Sequence, residues 1–177
     1  MTPTADGTKI SSRVVEPFGP TGGTLVPTTV TGMEPALQQL IDERSIIDLV
    51  GRYCWAIDSL DRPALERVFL PDATAVLGAG ELHGIDAIWG RINGVLSRLD
   101  TSQHVLGSHV VEIHGDTADS RCYFVAQHVR HEAEGGPHYV VAGSYVDQLV
   151  RTADGWRIKH RVLTTIWTDG NPKVFSD

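Results

Sequence analysis

Four long runs rich in β-branched and aromatic residues fill the second half of the chain and constrain its fold most strongly. Short turn sequences such as Ala153-Asp154-Gly155 separate the runs. Long β-rich runs joined by tight turns predict an antiparallel meander. The predicted strands are Val105 to Ile113, Ala118 to His131, Tyr139 to Arg151 and Trp156 to Thr168.

The first half of the chain is predicted to cover one face of that sheet with three helices. Apolar residues recur at helical spacing from Pro35 to Ile57 and again from Ile85 to Leu99. Between them, Asp61 and Pro63 mark the start of a short helix that ends at Leu70-Pro71-Asp72. Helices followed by a run of strands are the α+β pattern, which leaves a pocket between the two layers.

Two segments complete the predicted organisation. Thr74 to Leu77, the turn Gly78-Ala79-Gly80 and Glu81 to His83 predict a short hairpin. Residues 1–32 are rich in Gly, Pro, Thr and Ser without a sustained period, which predicts a flexible N-terminal arm. The remaining residues, 33–177, are enough for one domain with a single packed core.

Charge and cysteine content exclude several classes of function. The formal net charge is -7 and no basic patch is clustered, so nucleic acid is not a predicted partner. The sequence has neither a basic, apolar leader nor an apolar run of about 18 residues, so we expect a cytoplasmic protein without a membrane partner. Cys54 and Cys122 lack C-x-x-C spacing and are predicted to be small buried residues.

Asp58 is an acid at an unfavourable position. It lies at the predicted end of the first helix, where unpaired carbonyls carry partial negative charge and an acid costs roughly 0.3–1 kcal/mol unless a partner compensates it. Its neighbours Tyr53, Trp55 and Ile57 predict an apolar setting, in which the ionisation of a carboxylate responds strongly to nearby charge. This is typical of a catalytic carboxylate, and the alternative is that Asp58 ends the helix and points to water.

His104 is the predicted partner of Asp58. It begins the first strand of the meander directly after a helix, in the sequence Thr101-Ser102-Gln103-His104, and therefore lies at one end of the sheet. An imidazole held by a carboxylate is a general base that works near neutral pH. The alternative is a core or turn histidine with an ordinary hydrogen bond.

The last predicted strand carries a candidate cation, Arg161. Because a buried guanidinium is too costly without a counter-charge, it needs either an acid or an anionic ligand group, and both remain open at this point. Strict alternation predicts two faces, one with Ile158, His160 and Val162 and the other with Arg157, Lys159, Arg161, Leu163 and Trp167.

Other kinds of site are not predicted. The spacing of His128 and His131, and of His104 and His109, places each pair on opposite faces of a strand, so we expect no metal. There is no G-x-S-x-G, no G-x-G-x-x-G after a strand and no P-loop, and we expect no cofactor. His128 is either a pocket residue or an ordinary sheet residue, on the strand face that holds Cys122, Phe124 and Ala126.

The order of these features resembles the SnoaL-like branch of the NTF2-like superfamily. A helix with Tyr53 and Asp58 comes first, His104 opens a strand after the third helix, and G-S-Y-V-D-Q-L-V-R-T-A-D-G-W-R-I-K-H-R follows from Gly143 to Arg161. The resemblance covers roughly Glu34 to Asp177. It implies an α+β cone with three N-terminal helices on a curved mixed, mostly antiparallel sheet.

The resemblance to dehydratases and eliminating enzymes of this fold, including bile-acid 7α-dehydratase, scytalone dehydratase and hexachlorocyclohexane dehydrochlorinase, implies a cofactor-independent lyase or isomerase. A dehydratase of a hydrophobic cyclic molecule, polyketide-like or steroid-like, is the main expectation. His104 would take a proton from carbon while Asp58 orients the imidazole. Tyr53 or Arg161 would bind the departing or carbonyl oxygen. The residues predicted to line the substrate pocket are Trp55, Trp89, His128 and Trp167.

Two other functions remain open, an aldol cyclase of the polyketide type that uses the same base and a non-catalytic binding or dimerisation module. A spacing of five residues puts Tyr53 and Asp58 about 140° apart on an ideal helix, so the helix must end or bend near Ile57 if both serve one pocket. The C-terminal residues Trp167, Val174 and Phe175 are predicted to contribute to a homodimer or homotrimer contact.

Overall fold

The computed structural model describes residues 33–176, which form three helices, a six-stranded sheet and a final 3₁₀ turn. The predicted arm, residues 1–32, lies outside the described residues. In chain order the elements are α1 (Met33–Asp58), α2 (Arg62–Glu66), β1 (Phe69–Leu77), β2 (Glu81–His83), α3 (Gly84–Leu96), β3 (Thr101–His114), β4 (Thr117–Val129), β5 (His138–Thr152), β6 (Gly155–Gly170) and the turn Pro172–Phe175.

The strands lie in the order β2-β1-β6-β5-β4-β3. Neighbours are antiparallel except for β1 and β6, which run parallel. The predicted meander is confirmed, and so is the hairpin, in which Thr74 pairs with His83. Helices α1 and α3 cover one face of an open sheet, as the predicted α+β cone requires.

Strand β1 begins at Phe69, earlier than the predicted Thr74, so the segment interpreted as the end of α2 belongs to the sheet. The start of α2 is as predicted, because the Asp61 carboxylate accepts a hydrogen bond from the Ala64 N–H at 2.9 Å. Pro71 is tolerated within β1 because the register with β6 shifts between Phe69 and Thr74.

One apolar stripe of each long helix packs on the concave face of the sheet. In α1 the stripe follows the helical repeat through Ile46, Val50, Tyr53 and Ile57, all at most 2% exposed. Cys54 and Cys122 are free and buried, as predicted. The stripe of α3 consists of Ile88, Ile92 and Leu96.

Two β-bulges in β6 overturn the strict alternation expected from the sequence. Ile158 pairs with Leu149 and His160 with Gln148, which leaves Lys159 as an extra residue and reverses the phase beyond it. Arg161 therefore shares the inner face with Ile158 rather than lying opposite to it. A second extra residue, Ile166, reverses the phase again between Thr165 and Trp167.

The outer face of the sheet exposes large apolar side chains, including Val105, Tyr123, Val125 and Trp167. Val174, expected at a subunit contact, is instead fully buried in its own chain. It is buried because the final 3₁₀ turn folds back over β5, where the Phe175 ring lies 5.4 Å from that of Tyr139.

No helix within the described residues combines the length and the hydropathy of a bilayer span.

Candidate active site

Asp58 is the last residue of α1, where the helix ends in a Schellman motif. The Leu60 N–H donates to the Ile57 carbonyl at 3.2 Å and the Asp61 N–H to the Ala56 carbonyl at 2.8 Å, with Leu60 in the left-handed region at φ 52°. The last turn of α1 contains no basic residue that would offset the helix dipole. The negative charge of Asp58 is therefore stabilised by hydrogen bonds from another element of the fold.

That element is the start of β3, which supplies three hydrogen bonds to the carboxylate. The Ser102 hydroxyl donates to Oδ1 at 2.7 Å, the His104 N–H donates to Oδ2 at 2.9 Å, and His104 Nδ1 lies 2.6 Å from Oδ1. Burial alone would raise the pKa of Asp58, but the hydrogen bonds from His104 and Ser102 outweigh it and hold the pKa below its usual value. Asp58 is thus ionised at neutral pH.

An ionised Asp58 determines the tautomer of His104. A carboxylate can only accept hydrogen bonds, so Nδ1 of His104 carries the proton and Nε2 presents a lone pair on the far side of the ring. Nε2 has no hydrogen-bond partner in the described part of the chain. The imidazole is 7% exposed and separates an outer cleft, which Asp58 also lines, from an inner cavity.

The inner cavity lies between α1, α3 and the concave face of the sheet and has a volume of about 230 Å³. Most of its wall is apolar, with side chains such as Ile57, Ile92, Phe124 and Leu163. Polar side chains contribute at a few points, which is the usual composition of a small-molecule site. They are Tyr53, Arg91, His104, His128 and Tyr145.

Tyr53 and Tyr145 form a tyrosine pair in the cavity wall. Their rings are 2% and 1% exposed and meet edge to face with centroids 5.6 Å apart. Burial raises the pKa of Tyr53 to about 12 and that of Tyr145 well above its ordinary value. Both hydroxyls therefore keep their protons and can donate hydrogen bonds to a bound oxygen.

His128 lies on the same wall as a neutral imidazole. Its Nδ1 is 3.3 Å from the Tyr139 carbonyl, so Nδ1 carries the proton and Nε2 is left as an acceptor. Burial, followed by the nearby His104, lowers the pKa of His128 to about 4. Its ring lies edge to face with His104, at 5.7 Å between centroids, and with Phe175 at 4.7 Å.

Sequence comparison assigns the chain to a family. Residues 38–162, well over half of the chain, match the SnoaL-like domain. The chain belongs to the SnoaL-like family. One relative is the terrestric acid biosynthesis cluster protein E of Penicillium crustosum, 31% identical over 155 residues that span 84% of this chain and 97% of that protein.

Solved structures share the NTF2-like fold of this SnoaL-like chain. A Novosphingobium aromaticivorans protein provisionally named scytalone dehydratase superposes with a TM-score of 0.69 at 22% identity, over 76% of this chain and 90% of that one. A type 3 hexachlorocyclohexane dehydrochlorinase of Novosphingobium barchaimii gives 0.67 at 18% identity, over 76% and 92%. At these identities the likeness establishes the fold alone.

Arg161 is not where the SnoaL-like resemblance predicted it to act. It is fully buried, does not line the inner cavity, and forms an ion pair with Asp147 at 2.6 Å. Of the two partners left open by the sequence, the structure contains the acid. The reason is the bulge at Lys159, which turns Arg161 inward directly opposite Asp147 of β5. Arg161 therefore supports the cavity wall without reaching a ligand.

Three of the four predicted pocket residues lie elsewhere. Trp55 is 80% exposed on the outer cleft, because its helix position faces away from the sheet. Trp89 packs partly buried against the core, and it does not line the inner cavity. Trp167 is turned to the outer face by the bulge at Ile166. His128 does line the cavity with His104, while Tyr53 lines it from α1.

Three functional candidates were not identified from the sequence. Ser102 could have been found, because alternation places it on the same strand face as His104. Tyr145 lies within the segment that carries the family resemblance, but no local pattern distinguishes it from core tyrosines. Arg91 lies directly before Ile92 of the apolar stripe of α3, and its sequence position resembles that of a solvated helix residue. In the described part of the chain no group of three or more His, Cys, Asp or Glu side chains could hold a metal ion.

Proposed function

We propose that this SnoaL-like protein is a cofactor-independent lyase that removes water from a cyclic β-hydroxy carbonyl compound bound in the inner cavity. The observation that carries the proposal is the pair formed by Asp58 and His104, whose Nδ1 and Oδ1 lie 2.6 Å apart. Nε2 of His104 has no hydrogen-bond partner among the described residues, and the ring lines an apolar cavity whose wall also contains the side chains of Tyr53 and Tyr145. A positioned base and an oxyanion stabiliser are what proton abstraction beside a carbonyl requires.

In the first step, His104 Nε2 takes a proton from the carbon next to the substrate carbonyl. The electron pair of the C–H bond forms the enolate, and the charge on its oxygen is stabilised by hydrogen bonds from Tyr53 and Tyr145. Asp58 remains a carboxylate and stabilises the imidazolium through Nδ1–H.

In the second step, the enolate reforms the carbonyl and expels the β-hydroxyl group. The proton on His104 Nε2 passes to the departing oxygen, so that water leaves and the base returns to its neutral form. His128, neutral and with Nε2 as an acceptor, suits the role of holding the substrate hydroxyl before it departs. The products are the α,β-unsaturated carbonyl compound and one water molecule.

Cavity size and relatives support a small ring compound as substrate. A volume of about 230 Å³ is below the roughly 300–1,000 Å³ typical of drug-sized ligands and favours one or two rings over a steroid. The names scytalone dehydratase and hexachlorocyclohexane dehydrochlorinase describe eliminations from ring compounds in proteins of this fold. The fungal relative is named for a biosynthetic cluster.

A probe reaction tests the proposal without knowledge of the natural substrate. We expect the protein to remove water from 3-hydroxy-1-tetralone. The unsaturated ketone that results tautomerises to aromatic 1-naphthol, whose fluorescence follows the reaction. His104→Gln should reduce the rate to that of buffer. His114→Gln, which alters an exposed imidazole far from the cavity, should keep the wild-type rate. A wild-type rate equal to that of buffer, or full activity in His104→Gln, would contradict the proposal.

The exposed apolar outer face supports a second, separate proposal, that two or three copies of the chain associate through the sheet. Val105, Tyr123 and Val125 are 58%, 58% and 44% exposed on adjacent strands. Light scattering during size-exclusion chromatography should give a dimer or trimer mass, and Tyr123→Lys with Val125→Lys should give a monomer. A monomeric wild-type protein would rule this out.

A further inference from the structure

Arg91 of α3 gives the inner cavity an uncompensated positive charge. It is the one Lys or Arg among the described lining residues, which include no Asp or Glu. No carboxylate oxygen of residues 33–176 lies within 4.0 Å of its guanidinium. The other arginines that approach the interior differ in this respect, since Arg161 is paired with Asp147 and Arg151 with Asp42.

The hydrogen bonds of Arg91 hold its position without neutralising its charge. Nη1 donates to the Leu77 carbonyl at 2.7 Å and Nη2 to the Ala79 carbonyl at 3.1 Å. A guanidinium has five N–H donors, so three remain available to a ligand. Planar carboxylates match this set of donors well.

The turn between β1 and β2 fixes the guanidinium at the mouth of the cavity. Gly78 and Gly80 adopt φ values of 87° and 79°, which brings the Leu77 and Ala79 carbonyls round to face Arg91. A Cβ on Gly78 would lie 3.7 Å from Nη1, which shows how closely the turn backbone approaches the side chain. Because the long side chain is already ordered, ligand binding costs little further rotamer entropy.

We propose that the substrate carries a carboxylate, and that Arg91 binds it at the cavity mouth while the ring points inward to His104. This inference rests on the proposed function in taking the inner cavity as the substrate site. The position of Arg91 suits a permanent charge, because Arg91 is only half-buried and a carboxylate there keeps part of its hydration. The transient enolate charge belongs deeper, at the buried hydroxyls of Tyr53 and Tyr145.

Binding of a matched pair of bicyclic probes tests the inference without catalysis. At pH 7.5, calorimetry should show that the wild-type protein binds 2-naphthoate at least about tenfold more tightly than the neutral 2-naphthamide, as one charge-assisted hydrogen bond allows. Arg91→Gln should bind the two equally, and Arg91→Lys should keep part of the preference. Arg121→Gln, which removes the same charge from the exposed outer face, should leave the preference unchanged.

The outcomes separate this inference from the proposed function. His104→Gln should lose turnover of 3-hydroxy-1-tetralone yet keep the preference for 2-naphthoate. Normal turnover in His104→Gln together with an intact preference would refute the lyase and leave the role of Arg91 standing. A preference that survives in a folded Arg91→Gln protein, or no measurable binding of 2-naphthoate to the wild type at millimolar concentration, would refute the role of Arg91.

Discussion

Arg161 and Asp147 form an ion pair in which neither side chain is exposed. Nε donates to Oδ1 at 2.7 Å and Nη2 to Oδ2 at 2.6 Å, while Nη1 has no hydrogen-bond partner among the described residues. The guanidinium lies between two aromatic rings, 4.1 Å from the centroid of Tyr53 and 4.4 Å from that of Tyr145. The ion pair thus positions both tyrosines that line the cavity.

Replacing one member of this ion pair should lower the free energy of unfolding more than replacing both members. Arg161→Met leaves Asp147 buried without a counter-charge, so we expect a loss of about 3–5 kcal/mol in the free energy of unfolding. The double variant Arg161→Met, Asp147→Leu removes both charges and should recover most of that loss. Urea denaturation of the wild-type, single and double variants measures both effects. Additive losses in the double variant would show that the two side chains are not coupled.

The layer order of the fold was predictable from the sequence because it depends on periodicity. Helical stripes and alternating runs are properties of consecutive residues, and the strands of the meander were located to within a few residues. The bulges at Lys159 and Ile166 were not predictable, since an extra residue in a strand appears only when its partner strand is known. The errors at Arg161 and Trp167 follow from these two bulges, whereas Trp55 and Trp89 lie on helices and fall outside the inner cavity for a different reason, the direction in which each helix position faces.

Some features of the candidate site could likewise be predicted from the sequence, whereas others depend on the three-dimensional structure. Asp58 and His104 were identified by an unfavourable helix position and a strand start, and the structure brings them together. The angular offset of Tyr53 from Asp58 has a simple explanation in three dimensions. Tyr53 lines the inner cavity and Asp58 the outer cleft, with His104 between them, so the two need not share a helix face.

Substitution by alanine should destabilise the protein at Gly143 and stabilise it at Gly94. A Cβ on Gly143 would overlap the Thr164 carbonyl oxygen and lie 2.9 Å from the Phe124 ring, so Gly143→Ala should destabilise the protein by roughly 2–4 kcal/mol. Gly94 is exposed in α3 with nothing within 4 Å, and Gly94→Ala should stabilise by roughly 0.5–1 kcal/mol. Thermal or urea unfolding measures both. A neutral Gly143→Ala would mean that β5 and β6 can separate locally.

His128 should make the fold sensitive to mild acid. Its pKa is about 4 in the folded protein, compared with 6.5 for a solvent-exposed imidazole such as that of the unfolded chain. Between pH 6.5 and pH 4, His128 is therefore protonated in the unfolded chain but remains neutral in the folded protein. Stability is therefore lost as pH falls from 6.5 through 4, by roughly 2–3 kcal/mol between pH 7 and pH 4.5. His128→Gln should lose correspondingly less over that interval. Parallel stability curves for the two proteins would contradict a buried neutral His128.

The central claim is that Asp58 and His104 form a base that removes a proton from carbon in the inner cavity. Deuterium exchange measures this step directly. In D₂O, the protein should catalyse deuterium exchange at the carbon next to the carbonyl of 1-tetralone, which has no leaving group, and proton NMR follows the lost signal. We expect His104→Gln to abolish this catalysis, Asp58→Asn to reduce it at least about tenfold, and His114→Gln to leave it unchanged. Exchange at the wild-type rate in folded His104→Gln, or none above buffer in the wild type, would contradict the claim.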